Sequence, residues 1–196
     1  MDFGLYELKY KLREHLRILL PFLRNIDPNV VSWSLLPLGA ITALLYAKAP
    51  QHPVFYLYGL FFILARLAVG TLDGMLAQEL GKETHKGAII NRLCPELCDL
   101  LLLAALALSF PEKTSITIPA LIIAHATSFL GLLGLVGRKP IQSVGPVGQT
   151  DRIVALAAIS PVAALYPPAL LLFFYWIIIG GTITCAIRLK RILAPL

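Results

Sequence analysis

Asp73 stands directly before Gly74, and Asn91 follows Gly87 at a helical interval. A carboxylate oxygen with a neutral amide oxygen nearby is a donor set for a hard cation. Gly70, Asp73, Gly74 and Ala77 fall on one helix face, and Gly87 and Asn91 on the face that would match it. Small residues at this spacing let helix backbones approach closely or leave room for a ligand. A second group consists of Arg66, Glu96, Asp99 and His125, each within an apolar stretch. An ionisable group inside a membrane span costs roughly 2.5–3.5 kcal/mol on insertion scales, so each needs a partner or a task. Arg66 and Asp99 are expected to form an ion pair, and Glu96 to be partly neutralised by Arg92 one turn away. The pair either locks helices together or floors a ligand cavity. His125 reads as a helix-to-helix hydrogen bonder. Cys94 and Cys98 share a face, but two thiols without further Cys or His ligands make a poor metal site, and they read as small packing residues.

The elements that must position these groups follow from composition. Of 196 residues, 58% are apolar and 14% charged, and the mean hydropathy is +0.78. A soluble domain carries roughly 45–50% apolar and about 25% charged residues. The composition excludes a disordered, collagen-like or nucleic-acid-binding chain and argues against a water-soluble enzyme. A helix needs about 20 mostly apolar residues to cross the hydrocarbon core. Stretches 30–47, 54–80, 86–109, 115–136, 152–166 and 168–187 qualify, separated by Pro, Gly and polar clusters such as Ala49-Pro50-Gln51-His52-Pro53 and Pro167-Pro168. The expected fold is all-α: a polytopic membrane protein with six transmembrane helices over residues 25–196. At about 1.5 Å rise per residue, Arg66, Glu96, Asp99 and His125 all fall near mid-membrane.

Basic residues set the expected orientation. Lys9, Lys11, Arg13, Arg17 and Arg24 precede the first stretch, and Lys82, Lys86 and Arg92 join the second to the third. Arg138, Lys139 and Arg152 join the fourth to the fifth, and Arg188, Lys190 and Arg191 follow the sixth. The opposite side holds Lys48 and Lys113. Both termini are therefore expected on the cytoplasmic side. Residues 1–24 lack the continuous apolar core of a signal peptide. Their leucines, from Leu5 to Leu23, recur at three- and four-residue intervals among basic residues. That is the pattern of an amphipathic helix lying along an anionic leaflet.

The run Gly70-Thr71-Leu72-Asp73-Gly74-Met75-Leu76-Ala77-Gln78, eight residues, then Gly87-Ala88-Ile89-Ile90-Asn91-Arg92-Leu93-Cys94-Pro95 resembles the signature of the CDP-alcohol phosphatidyltransferase family. That signature reads D-x-x-D-G-x-x-A-R, eight residues, G-x-x-x-D-x-x-x-D, and the spacing matches throughout. Pro28-Asn29-Val30-Val31-Ser32 is similar to the family's P-N-x-[LVI]-[ST] segment. Gly145-Pro146-Val147-Gly148-Gln149-Thr150-Asp151-Arg152 is similar to a G-P-M-G-K-S-D-R segment of one bacterial branch, which also has Asn at the third acidic position and an Asp where Asp99 stands. The resemblance implies transfer of a substituted phosphate from a CDP-alcohol to an acceptor alcohol with release of CMP. In the family, four carboxylates hold two divalent cations and the last also serves as base. Here Gly70, Asn91 and Pro95 occupy three of the four acidic positions, Gln78 replaces the motif arginine and Gln149 the loop lysine.

Carried onto this chain, the resemblance implies Asp73 and Asn91 as ligands of Mg²⁺ or Mn²⁺. Gly74, Ala77, Gly87, Arg66 and Arg152 would contact substrate, and Asp99 is the candidate base. The implied partners are a CDP-linked lipid or CDP-alcohol, an acceptor alcohol, membrane lipids and a second copy in a homodimer; no nucleic acid is expected. A different class of function is a catalytically silent relative that keeps the fold to bind lipid or a partner. A third, a small transporter, lacks the internal repeat and the paired broken helices of such folds.

Overall fold

The structure, a computed structural model, describes residues 12–137, 139, 141 and 143–194, with backbone alone for 135 and 136. Leu5, Leu8, Lys9 and Lys11 of the expected amphipathic helix lie outside the described residues, as does Arg138. Six long helices follow in chain order: α1 (Pro28–Lys48), α2 (Val54–Glu79), α3 (His85–Leu108), α4 (Thr114–Val136), α5 (Gln149–Leu165) and α6 (Leu170–Leu193). The described residues contain no strand.

Their ends follow from local chemistry. Asp27 caps α1, accepting a hydrogen bond from the Asn29 amide, with Pro28 at the first helical position where its missing N–H costs nothing. Gly81, at φ +61°, ends α2 in the left-handed conformation that glycine adopts readily. Thr84 caps α3 through a hydrogen bond from Gly87 N. The fifth helix begins three residues before the expected start because Asp151 accepts from Gly148 N and caps it. The sixth runs to Leu193, past the expected end, because Arg188 is buried in it rather than placed beyond it. Helix α3 continues through Pro95, which leaves the Asn91 carbonyl without its usual donor four residues on.

Segments Pro28–Lys48, Val54–Glu79, Pro111–Gly134 and Pro167–Leu193 are long and apolar enough to cross a bilayer. With apolar side chains such as Phe61, Phe129 and Leu172 exposed on their outer surfaces, the chain is a multi-pass, all-α membrane protein. The remaining two long helices carry polar cargo: Lys86, Arg92, Glu96 and Asp99 on α3, and Asp151 and Arg152 on α5, which has 17 residues.

Packing divides the bundle into two groups. Helix α1 lies against α2 and α3, and α4 lies against α6; α5 joins them by packing on α2 and α6. Glycines set the closest approaches. A Cβ added at Gly39 would lie 2.5 Å from Cys98 Sγ, and one at Gly59 would lie 2.6 Å from the Tyr46 ring. Tyr46 is fully buried and shares a 2.6 Å hydrogen bond with Ser160, tying α1 to α5. Before α1, residues 12–16 and Leu20–Leu23 are helical with a 3₁₀ turn between. Leu16 and Leu20 pack on Leu72, Met75 and Leu76, so this part of the amphipathic stretch docks on the end of α2.

Gly39→Ala should therefore destabilise the protein by about 1–3 kcal/mol through overpacking. Gly70→Ala, whose Cβ would meet only Leu35 at 3.7 Å, should leave stability unchanged. Thermal melting of the two variants in detergent checks this; equal midpoints would refute the tight α1–α3 contact.

Candidate functional site

A cavity of about 750 Å³ opens between the ends of α1, α2 and α3 and reaches inward to α4, the loop before α5, and α6. Asp73, Gly74, Ala77, Gly87, Asn91 and Arg66 all line it. Asn91 reaches across from α3 to α2, since a Cβ at Gly74 would lie 3.4 Å from its Nδ2. Gly87 keeps space for α1: a Cβ there would lie 3.1 Å from Asn29 Oδ1. The carboxylate of Asp73 is almost fully buried, with Oδ2 accepting from Ser32 Oγ at 2.7 Å and Oδ1 from Gly74 N at 2.6 Å. Ser32 and Asn29 are contributed by the Pro28–Ser32 segment at the start of α1.

Asp99 and Arg152 do not line this cavity. The expected Arg66–Asp99 ion pair is present, and a second arginine joins it. Arg152 donates from Nη2 to Asp99 Oδ2 at 2.8 Å and from Nε at 3.2 Å. Its Nη1 binds Thr127 Oγ1 and the Ala124 carbonyl, and its Nη2 also binds Ser128 Oγ. The three ion-pair residues are each 3% exposed or less. Of the residues expected at the site, Arg152 thus has every guanidinium nitrogen bonded inside the bundle. Asp99 has both oxygens on arginines, where it acts as a clasp.

Glu96 departs from expectation. No ion pair joins it to Arg92 among the described residues; it stands next to Asp99, Arg152, Ser128 and His125 instead. Its Oε2 is buried, without a hydrogen-bond partner, and the residue lines the cavity. Asn29 Oδ1, Arg66 Nη1 and Gln149 Nε2 share that condition and that location. Buried polar atoms without partners are uncommon in folded proteins, and four around one cavity mark where a polar ligand would be held. His125 donates from Nδ1 to the Leu121 carbonyl of its own helix at 2.8 Å rather than to another helix. Cys94 and Cys98 are buried thiols, the latter donating to the Leu35 carbonyl, as small packing residues should.

The donors do not fit a pair of divalent cations. Among the described residues no group of three His, Cys, Asp or Glu side chains is placed to hold a metal ion. Asp73, Asn91 and Asn29 line the same cavity and carry carboxylate and amide oxygens, the donor types a hard cation takes.

Gln149 and Arg188 also line the cavity, beyond the residues expected there. Arg188, expected beyond the last span, is 2% exposed and binds the Val144 and Thr127 carbonyls. Its position four residues after Thr184, on the face of α6 that carries Gly180 and Gly181, was the available clue.

No family model matches the chain. The inner membrane protein YnbA of Escherichia coli K12 is 29% identical over 165 residues, covering 83% of this chain and 82% of that protein. The fold is that of Mycobacterium tuberculosis phosphatidylinositol phosphate synthase. Its structure with CDP-DAG bound superposes with a TM-score of 0.75 at 19% identity, covering 94% of this chain and 98% of that one. The structure of the same synthase with manganese and citrate gives the same score and identity over 94% and 93%.

Asp99→Asn should unseat two buried arginines at once and cost about 3–5 kcal/mol, the scale for breaking a buried ion pair. A melting temperature equal to that of the parent protein would show that the clasp does not hold the bundle together.

Proposed function

We propose that the chain is a member of the CDP-alcohol phosphatidyltransferase family, a membrane phosphotransferase of phospholipid biosynthesis. It would move a substituted phosphate group from a CDP-alcohol to an acceptor alcohol and release CMP. The carrying observation is the cavity itself: the motif residues Asp73, Gly74, Ala77, Gly87 and Asn91, 18 positions apart at their extremes, line one hollow. The matching motif spacing and a fold shared with a synthase solved with CDP-DAG bound support the same reading. Arg13, Lys82 and Arg92 add positive charge to its lining, where a pyrophosphate would be attracted. A bound Mg²⁺ or Mn²⁺, held by Asp73, Asn91 and Asn29, would neutralise phosphate charge.

Six membrane crossings, with α3 and α5 as the two polar ones, both termini on the cytoplasmic side and a homodimer belong to this reading. Burying Arg152 and Arg188 in the bundle removes two cations from the cytoplasmic count, yet the basic excess on that side keeps its sign.

A second reading, a silent relative that binds the CDP-linked lipid without transferring it, is favoured by one observation. Asp73 is the lone acid retained of the four motif positions, and no cluster of three metal-binding side chains forms among the described residues. Binding of CDP-diacylglycerol and release of CMP separate the two. Both readings expect Asp73→Ala to weaken binding at least tenfold, about 1.4 kcal/mol. Only the transferase releases CMP, with Mn²⁺ and an acceptor alcohol present, and loses that activity in Asp73→Ala. Failure of the parent protein to bind the CDP-lipid would dispose of both.

A further inference from the structure

The lining of the cavity changes character with depth. Arg13, Lys82 and Arg92 lie where the N-terminal segment, the end of α2 and the first half of α3 meet. Farther along α3 lies Glu96, beside Asp99 and Arg152. Arg66 is bonded to the same Asp99, and Gln149 precedes Arg152 by one turn on α5. Ser128 of α4 and Arg188 of α6 complete this end.

Two features of the inner end constrain what it can hold. The first is charge. Arg66, Arg152 and Arg188 are matched in number by Glu96, Asp99 and Asp151. With every group ionised the set is neutral, so a phosphate dianion placed there would stay uncompensated in a low-dielectric bundle, which is strongly unfavourable. The arginines cannot turn to meet it cheaply, because Arg152 already donates to Asp99, Ala124, Thr127 and Ser128, and Arg188 to Val144 and Thr127. At position 149, where the resembling segment has lysine, stands a neutral amide. The second feature is the kind of atom left over. Glu96 Oε2 lacks a donor, whereas Arg66 Nη1 and Gln149 Nε2 lack acceptors. A hydroxyl group supplies both roles. A phosphate dianion supplies acceptors only and would set its oxygens against Glu96.

We propose that this inner end is the acceptor subsite, that Glu96 takes the acceptor's hydroxyl hydrogen bond, and that the subsite admits an uncharged polyhydroxy alcohol in preference to a phosphorylated one. The proposal names the acceptor class for the transferase reading and rests on that reading for its catalytic use. In the transfer, the acceptor oxygen bonds to the lipid-linked phosphorus and its proton passes to Glu96. The bond from that phosphorus to the bridging oxygen breaks, and its electron pair leaves with CMP. Glu96 thereby stands in for the motif acid that Pro95 has replaced, from the next position along α3.

The test uses the full chain in lipid nanodiscs and measures equilibrium binding of tritiated glycerol and myo-inositol against their monophosphates, each with and without CDP-diacylglycerol. The parent protein should bind at least one unphosphorylated probe at least tenfold more tightly than its monophosphate. Glu96→Gln removes a negative charge and Gln149→Lys adds a positive one; each should shift that ratio at least tenfold toward the phosphorylated probe. Two variants that alter charge in the same direction at different positions guard against misfolding of either. Equal or tighter binding of a monophosphate by the parent protein, binding of neither probe, or an unchanged ratio in a folded variant would overturn the proposal. If the polyol preference holds while CDP-diacylglycerol does not bind, the subsite is upheld and the transferase reading falls.

Discussion

Two arginines share one carboxylate in the middle of this bundle, and most of the architecture is arranged around that contact. Asp99 on α3 meets Arg66 from α2 and Arg152 from α5, and Arg152 extends the network to Ala124, Thr127 and Ser128 on α4. Arg188 of α6 reaches the Thr127 carbonyl. Five helices thus converge on a hydrogen-bonded set that apolar packing alone would not hold in register. Such a network is unforgiving, because removing one member leaves the others charged and unpaired in a low dielectric. It also accounts for the buried charges of α3 and α5, the helices with the least apolar sequences: Asp99 and Arg152 turn toward each other and toward α2 and α4.

The clasp separates structural charge from charge left for a ligand. Asp99 and Arg152 are consumed and stand apart from the cavity lining, whereas Glu96, one turn before Asp99, keeps an oxygen free in it. Arg66 belongs to both sets, with Nη2 on Asp99 and Nη1 without a partner. A cationic entrance therefore adjoins an inner end whose arginines are matched by acids.

Much of this was legible in the residues. Helix positions followed from apolar runs and their breakers, and the Arg66–Asp99 pair from matching depths in adjacent spans. The side-by-side placement of Gly74 and Asn91 followed from small-residue spacing. What could not be read was partner choice among several candidates at one depth. Asp99 had Arg66 as the visible cation, while Arg152 looked like a loop residue because the apolar run begins there; only the Asp151 cap, which starts α5 at Gln149, carries Arg152 inside. Glu96 was assigned to Arg92 by sequence proximity, yet Arg92 is exposed and Glu96 turns toward α4. One-turn neighbours on a helix compete with residues of other helices, and the winner depends on rotation about the axis, which hydropathy fixes weakly.

The residues that differ from the resembled signature follow an electrostatic pattern in three dimensions. Positions 70, 91 and 95, acidic in that signature, are Gly, Asn and Pro here, and Gln78 and Gln149 stand where the resembled segments have cations. Gln78 accepts a hydrogen bond from the Arg13 guanidinium, which itself lines the cavity, so a positive charge from the N-terminal segment lies at that corner. An arginine at 78 would repel Arg13, and the amide instead holds it there. Leu16 and Leu20, packed on Leu72, Met75 and Leu76, fix the segment that delivers it. Gln149 lies at the inner end, where the arginines and acids of the clasp and its neighbours are equal in number. Cationic character is thus concentrated beside the N-terminal segment, and the clasp end carries its charges already paired.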